Sequence, residues 1–330
     1  MYNQFFGLRK DPFNLTPDPE FLYLTEQHRE ALAAFTYAIL ARKGFVVLTG
    51  DAGTGKTTLL TRALRNLPTA RVQSSVIVNP TLTPAEFLEA ALLDFGITDI
   101  PASKAQRIAR LQSLLWKGHN AGKVSALIID EAHKLSADVL EEIRLLGNFE
   151  SAEVKLLQIA LIGQTELDDL LNRDQMRQFK QRIALRASIA ALMEGEVENY
   201  IRHRWMKAGG IGAPFSKDAL AGIGQVSKGI PRVINVLCDN ALIQAFGEGS
   251  SVVEAQHVQA ACQDLHFSTP VSPTKPIRAP EAPAEVPVVP PLVDTYPMRT
   301  LERYNTAAGH PSLRTRLATK LGFNQRIETA

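Results

Sequence analysis

Residues 44–64, GFVVLTGDAGTGKTTLLTRAL, decide the fold class of this sequence. The first six are an apolar run rich in β-branched side chains, as in a parallel strand covered on both faces, and TTLLTRAL has helical periodicity. Between them Gly50, Asp51, Ala52, Gly53, Thr54, Gly55, Lys56 and Thr57 match the eight-position phosphate-loop pattern, with Thr58 continuing into the helix. The glycines permit a tight turn that aims the amides of Ala52 to Lys56 at a polyphosphate, and the positive end of the helix adds to that field. Lys56 is expected to reach the β and γ phosphates of ATP, and the Thr57 hydroxyl to ligate Mg2+.

Downstream, SALIIDEAH (125–133) is an apolar strand ending in two carboxylates. Asp130 is placed to hold Mg2+ through its water shell, and Glu131 to polarise an attacking water. Alone, such an acidic pair reads as a solvated turn; a phosphate loop upstream turns it into a catalytic one. The letters DEAH also label a helicase class, but no other helicase motif is evident. LLQIALIGQ (156–164) is a further buried strand, and Gln164 at its end can hydrogen-bond the γ-phosphate or the water, or simply follow a strand. NRDQMRQFKQRIALRAS (172–188) supplies Arg173, Arg177, Arg182 and Arg186 on an expected helix and its exit. GIPR (229–232) opens another helix with Pro231 in its first turn, from which Arg232 would be delivered to the phosphates.

Four strands are expected, at 44–49, 72–78, 125–129 and 156–162, separated by helices at 57–67, 84–95, 104–117 and 136–146. A helix over 26–42 precedes them. Such alternation implies an α/β P-loop fold, a parallel sheet with helices on both faces. Beyond Glu194 only helical patterns follow, at 195–208, 216–226, 231–246 and 254–265. The chain therefore divides into an ATPase-type domain with an N-terminal extension at 1–193, an all-helical lid at 194–267, and a tail at 268–330. From Ser268 to Pro291 there are 8 prolines in 24 residues, which excludes helix and inner strand and predicts an extended linker. From Val271 onward eight basic residues stand against five acidic ones.

The 330 residues suit about two domains, and 45% hydrophobic with 21% charged residues excludes a wholly disordered, collagen-like or coiled-coil chain. A net charge of +2 demands no anionic partner. Cys238 and Cys262 are too few for a disulfide framework and read as apolar filling in a reducing compartment. MYNQFFGLRKDPF lacks the features of a secretory signal, and no apolar run approaches the roughly 18–20 residues of a membrane span, so a cytoplasmic protein is expected.

Phosphate loop, DE strand, polar sensor, arginine-bearing helix and GxPR together resemble an AAA+ ATPase. MYNQFFGLRKDPFNLTPDPEFLYLTEQHREAL, with RKGFVVLTGDAGTGKTTL, LIIDEAHKL, EEIRLLGNFE and ALIGQTEL, resembles the ExeA-like ATPases of the general secretion pathway protein A group. That group is similar in its core to transposition regulators of the TniB and TnsC kind. The resemblance covers about residues 1–267. Where secretion members continue into a membrane span and a periplasmic domain, this sequence runs into its Pro-rich tail. The resemblance implies ATP with Mg2+, Lys56, Thr57, Asp130, Glu131, Gln164 and Arg232 in the phosphate-loop, Walker B and sensor positions, and an ATP-promoted ring or filament. Arg182 falls nearest the position of a trans-acting arginine finger, with Arg177 as the alternative.

One further cluster bears on partners. Lys104, Arg107 and Arg110 recur every three residues, and 101–125 holds no acid. Such a stripe fits the backbone of duplex DNA, or else a solvated face opposite Ile108, Leu111 and Leu115. Two functions are therefore carried forward. One is an oligomeric ATP-hydrolysing switch acting on DNA and a transposase or on secretion or pilus machinery; the other is a nucleotide-gated scaffold with negligible hydrolysis whose tail recruits partners.

Overall fold

The apolar runs and turn signals resolve into an ordered succession of elements in a computed structural model, which describes residues 2–268 apart from 79. The linker and tail expected beyond 268 lie outside the described residues. A short α1 (Tyr2–Phe5) and a long α2 (Glu26–Leu40) lead into β1 (Phe45–Gly50), α3 (Lys56–Asn66) and β2 (Val72–Ile77). Next come α4 (Pro84–Asp94), α5 (Lys104–Asn120), β3 (Val124–Ile129), α6 (Ala137–Leu146) and β4 (Leu157–Gly163). Then follow α7 (Glu166–Asn172), α8 (Arg177–Lys180) and β5 (Ile183–Ile189). Four helices complete the described chain: α9 (Glu194–Lys207), α10 (Lys217–Ser227), α11 (Pro231–Gly247) and α12 (Ala255–Asp264).

The strands form one parallel sheet in the order β2-β3-β4-β1-β5. Strands β1, β3 and β4 are buried along their whole length because successive side chains feed two different cores. Leu127, Ile129, Ile159 and Leu161 join the core under α4, α5 and α6, while Ala126, Ile128, Ala160 and Ile162 join the one under α2 and α3. This is the arrangement expected of a P-loop α/β fold.

Strand β5 corrects the expectation that 172–188 forms a helix and its exit. It pairs with β1 along the sheet edge, with a bulge between Phe45 and Val46. Ile183, Leu185, Ala187 and Ile189 turn inward, while Ala184, Arg186 and Ser188 are exposed. That period of two, with Arg186 on the outer face, conceals a strand from a search for continuous apolar runs.

A third core gathers the helical part, with Val197, Ile201 and Trp205 of α9, Ile223 of α10, Leu237 and Ala241 of α11, and Val258 of α12. Leu8, Phe13 and Phe21 from the start of the chain belong to the same cluster. The N-terminal extension, grouped by sequence with 1–193, thus packs its apolar side chains with the helices. Cys238 and Cys262 are buried and free, as expected of apolar filling.

Candidate functional site

The phosphate-loop pattern folds where β1 meets α3. Gly50 ends β1 so near β5 that a Cβ there would lie 2.3 Å from the Ile189 carbonyl oxygen. Gly53 takes φ +80°, where a side chain is strained, and the loop closes through Thr54 Oγ1, which donates to Asp51 O at 2.8 Å. Lys56 opens α3 with only 6% of its surface exposed, and its Nζ donates to Gly50 O at 2.7 Å and Asp51 O at 2.8 Å. Burial pushes its ammonium below the ordinary lysine range, against the opposing pull of Glu131, Asp130, Asp51 and Glu166.

Asp130 stands just past β3 and is buried. Its Oδ2 accepts from Thr57 Oγ1 at 2.9 Å and its Oδ1 from the Glu131 amide at 2.9 Å. Glu131 has φ +54°, which swings its carboxylate out of the strand direction. Its Oε2 lies 3.3 Å from Lys134 Nζ and 3.6 Å from His133 Nε2. His133 Nδ1 in turn accepts from the Gln164 amide at 3.3 Å, linking the end of β4 to the turn that carries Glu131.

Across the loop, the Arg232 amide at the start of α11 donates to Gly53 O at 3.2 Å, and a Cβ on Gly53 would lie 2.8 Å from Arg232 Cβ. Between loop and helices lies a cleft of about 340 Å³ lined by Ala52 to Thr58, Glu131, Gln164 and Arg232. Asp51 stands beside it, its carboxylate accepting from Thr165 Oγ1 at 3.3 Å. Among the described residues no three His, Cys, Asp or Glu side chains converge as a metal cluster. Thr57 and Asp130 therefore offer a divalent ion two oxygens beside whatever phosphate and water supply, a set that suits Mg2+ and not a dedicated protein cage.

Arg182 does not line the cleft. Its Nη1 donates to Arg144 O at 3.0 Å and Asn148 Oδ1 at 2.5 Å. Arg177, at the start of α8, is exposed, and its side chain has no partner among the described residues. Arg186 pairs with Asp168 at 2.6 Å.

Each cation of the basic stripe offered for DNA has an acidic partner in this structure. Lys104 Nζ is bound to Glu142 at 2.6 Å, Arg107 to Glu89 at 3.0 Å, and Arg110 to Asp99 at 3.1 Å. Arg107 also donates to Pro101 O and Ala85 O, and its side chain is only 15% exposed. Acids from neighbouring segments thus pair all three cations, while the side chains of Lys104 and Arg110 stay 55% exposed.

Sequence reasoning missed the other wall of the cleft. Asn14 to Asp18 and Phe21 to Tyr23 line it, with His28, Tyr200, Arg204 and Asn235. His28 Nδ1 lies 2.7 Å from Thr25 Oγ1 and its Nε2 3.4 Å from Thr54 O, so the start of α2 supports the phosphate loop from behind. The one signal was a histidine three residues after a helix-capping threonine, and that spacing says nothing about a distant loop.

Comparison with known proteins bears on this geometry. Residues 39–171 match the AAA domain family model. The chain is 41% identical over 266 residues to general secretion pathway protein A of Aeromonas hydrophila, covering 80% of this chain and 48% of that protein. It thus spans about half the length of that relative. It is 26% identical over 265 residues to the ATP-dependent target DNA activator B of Escherichia phage Mu, covering 78% of this chain and 77% of that protein. Among solved structures, the Aeropyrum pernix ORC2 protein aligns with a TM-score of 0.60 at 18% identity, over 77% of this chain and 71% of that one. Cdc6p from Pyrobaculum aerophilum aligns with a TM-score of 0.59 at 17% identity, over 78% and 71% of the respective chains. At such identities the likeness bears on the fold alone. No helix among the described residues is long and apolar enough to cross a membrane.

Proposed function

Because the chain belongs to the AAA+ ATPases, in the group of general secretion pathway protein A, we propose that it is an oligomeric switch that binds and hydrolyses ATP in this cleft. The observation that carries the reading is the 2.9 Å bond from Thr57 Oγ1 to Asp130 Oδ2, beside Lys56 and Glu131 in one cleft.

In this reading the loop amides receive the phosphates, and the Lys56 ammonium exchanges its two carbonyl partners for phosphate oxygens. Bound Mg2+, held by Thr57 and Asp130, would neutralise phosphate charge. Glu131 takes up a proton from the attacking water as the bond to the γ-phosphorus forms, and ADP leaves with its own β-phosphate oxygen. Gln164 hydrogen-bonds the transferring phosphoryl group, and Arg232 brings a positive charge from the helical part, residues 194–267, onto the domain at 1–193. A neighbouring copy completes the site. We assign the finger to Arg177, which is exposed and has no side-chain partner among the described residues, while Arg182 ties the exit of α8 to the end of α6.

The client is of secretion or pilus type in this reading, following the more similar relative. The phage relative is named for target DNA, and the acidic partners of Lys104, Arg107 and Arg110 weigh toward the other client. Lys56→Ala should abolish ATP binding, whereas Glu131→Gln should bind ATP and not turn it over. Equilibrium binding and phosphate release measured on both variants check this, and wild-type turnover by Glu131→Gln would overturn the catalytic assignment. A scaffold without hydrolysis would show binding but no phosphate release in the wild-type chain.

A further inference from the structure

Arg204, on α9, is 8% exposed, and burying a guanidinium is costly unless its N–H groups are satisfied. The acceptors it finds are neutral. Its Nε donates to Pro12 O at 2.5 Å, Nη2 to Asn14 O at 3.3 Å and Nη1 to the Tyr200 hydroxyl at 3.2 Å. Its plane lies over the Phe21 ring, 5.0 Å from the centroid, and 5.8 Å from that of Tyr200. Four of these five contacts reach side chains or carbonyls that border the cleft or lie next to its border. Three of them, to Pro12, Asn14 and Phe21, hold one segment, the strap formed by residues 12–23.

The network continues into the element that carries Arg232. The Tyr200 hydroxyl donates to Asn235 Oδ1 at 2.8 Å, and Asn235 stands one helical turn beyond Arg232 on α11. Phe13 and Phe21 of the strap are sealed into the core of the helical part. The strap is therefore attached to the helices by both polar and apolar contacts. The phosphate loop meets the helical part in the same cleft, through Gly53 and Arg232.

We propose that Arg204 is a positioning residue that fastens the strap to the helical part, so that the cleft wall formed by the strap moves as one body with Arg232 onto a bound nucleotide. A triphosphate in the loop directs its base and sugar away from Lys56, toward Asn14 to Asp18. Arg204 then governs the grip on the nucleoside and leaves the grip on the phosphates unaltered. The choice of arginine follows from its planar fork, which serves two carbonyls and a phenol while stacking on a ring; a lysine keeps the charge but cannot do all of this.

The inference rests on the nucleotide reading of the cleft, and the test separates the two. Equilibrium titrations with ATP and with inorganic tripolyphosphate are run on the full wild-type chain, Arg204→Lys and, as a milder variant that keeps the core apolar, Phe21→Leu. Thermal melts confirm that each is folded. Arg204→Lys should bind ATP about tenfold more weakly, the scale of one lost charged hydrogen bond, and bind tripolyphosphate within about twofold of wild type by the same measure. Phe21→Leu should shift ATP in the same direction by less, and carries the test if Arg204→Lys fails to fold. Equal weakening of ATP and tripolyphosphate would overturn the inference in favour of a general role in folding, as would no change in either. A wild-type chain that binds tripolyphosphate but gains nothing from the nucleoside would overturn it while leaving the phosphate site standing, and one that binds neither overturns the nucleotide reading itself.

Discussion

Gly53 and Arg232 show how a single hydrogen atom decides whether the helical part can reach the phosphate loop. At Gly53 the φ of +80° makes any side chain strained, by about 1–2 kcal/mol for alanine. The added Cβ would also lie 2.8 Å from Arg232 Cβ, so the start of α11 must withdraw. Gly53→Ala should therefore weaken ATP binding at least tenfold or so, measured by titration, with the core still folded. Binding at wild-type strength would mean that α11 need not touch the loop. His28 offers a prediction in pH. Burial depresses its pKa from the ordinary 6.5, partly offset by its bond to Thr54 O and by Glu196. The unfolded chain thus takes up a proton that the folded chain refuses, so the stabilisation is complete above 6.5 and lost as pH falls from there through the lower folded value. The thermal midpoint of wild type should drop between pH 7 and pH 5 more than that of His28→Gln, which carries no proton in either state. Equal drops would remove His28 from the account.

Among the elements, α8 and β5 carry the strongest contrast between neighbouring arginines. Arg177→Ala removes an exposed cation with no side-chain partner among the described residues and should cut ATP turnover by about 10³-fold or more with the fold intact. Arg182→Ala frees the Arg144 carbonyl and Asn148, and should mainly cost stability. Mixing Arg177→Ala with Glu131→Gln, each inactive alone, should restore turnover in mixed assemblies; no recovery at any ratio would count against a shared site. The sequence made β1, β3 and β4 legible because burial on both faces leaves an unbroken apolar run. It hid β5 because an edge strand half-covered by α2 alternates, and Arg186 on its outer face imitates a basic helix. The same contrast holds in the cleft. Gly50 to Thr58 and Asp130–Glu131 are contiguous in sequence and placed by the strands before them, so local pattern finds them. His28, Arg204 and Asn235 reach the cleft only through tertiary packing, and the spacing between them in the chain carries no trace of it.

At the scale of the whole molecule, charge on α5 is balanced by acids from three separate segments, Glu89, Asp99 and Glu142, which a count along one helix does not register. The exposed Arg110–Asp99 pair contributes little, about 0–1 kcal/mol. Arg107 is different, because it also satisfies two carbonyls in a half-closed site. Replacing Lys104, Arg107 and Arg110 together by glutamine should therefore lower stability by roughly 2 kcal/mol or more, through Arg107 and through Lys104, the ion partner of the buried Glu142. Retention on duplex DNA in the presence of ATP should not change. Loss of that retention would show that the pairs open for a phosphate backbone.

The union of the first two dozen residues with α9 to α12 also sets an order in time. Phe13 and Phe21 are made long before α9 to α12, the elements that bury them. At roughly 5–20 residues per second of synthesis, they wait on the order of ten to fifty seconds for that cover. Meanwhile the sheet, complete at Ile189, can already assemble behind them. The nascent chain thus passes through a stage with a finished phosphate loop and uncovered aromatic side chains, and the cleft acquires its second wall only once α9 and α11, which carry Tyr200, Arg204 and Asn235, are made.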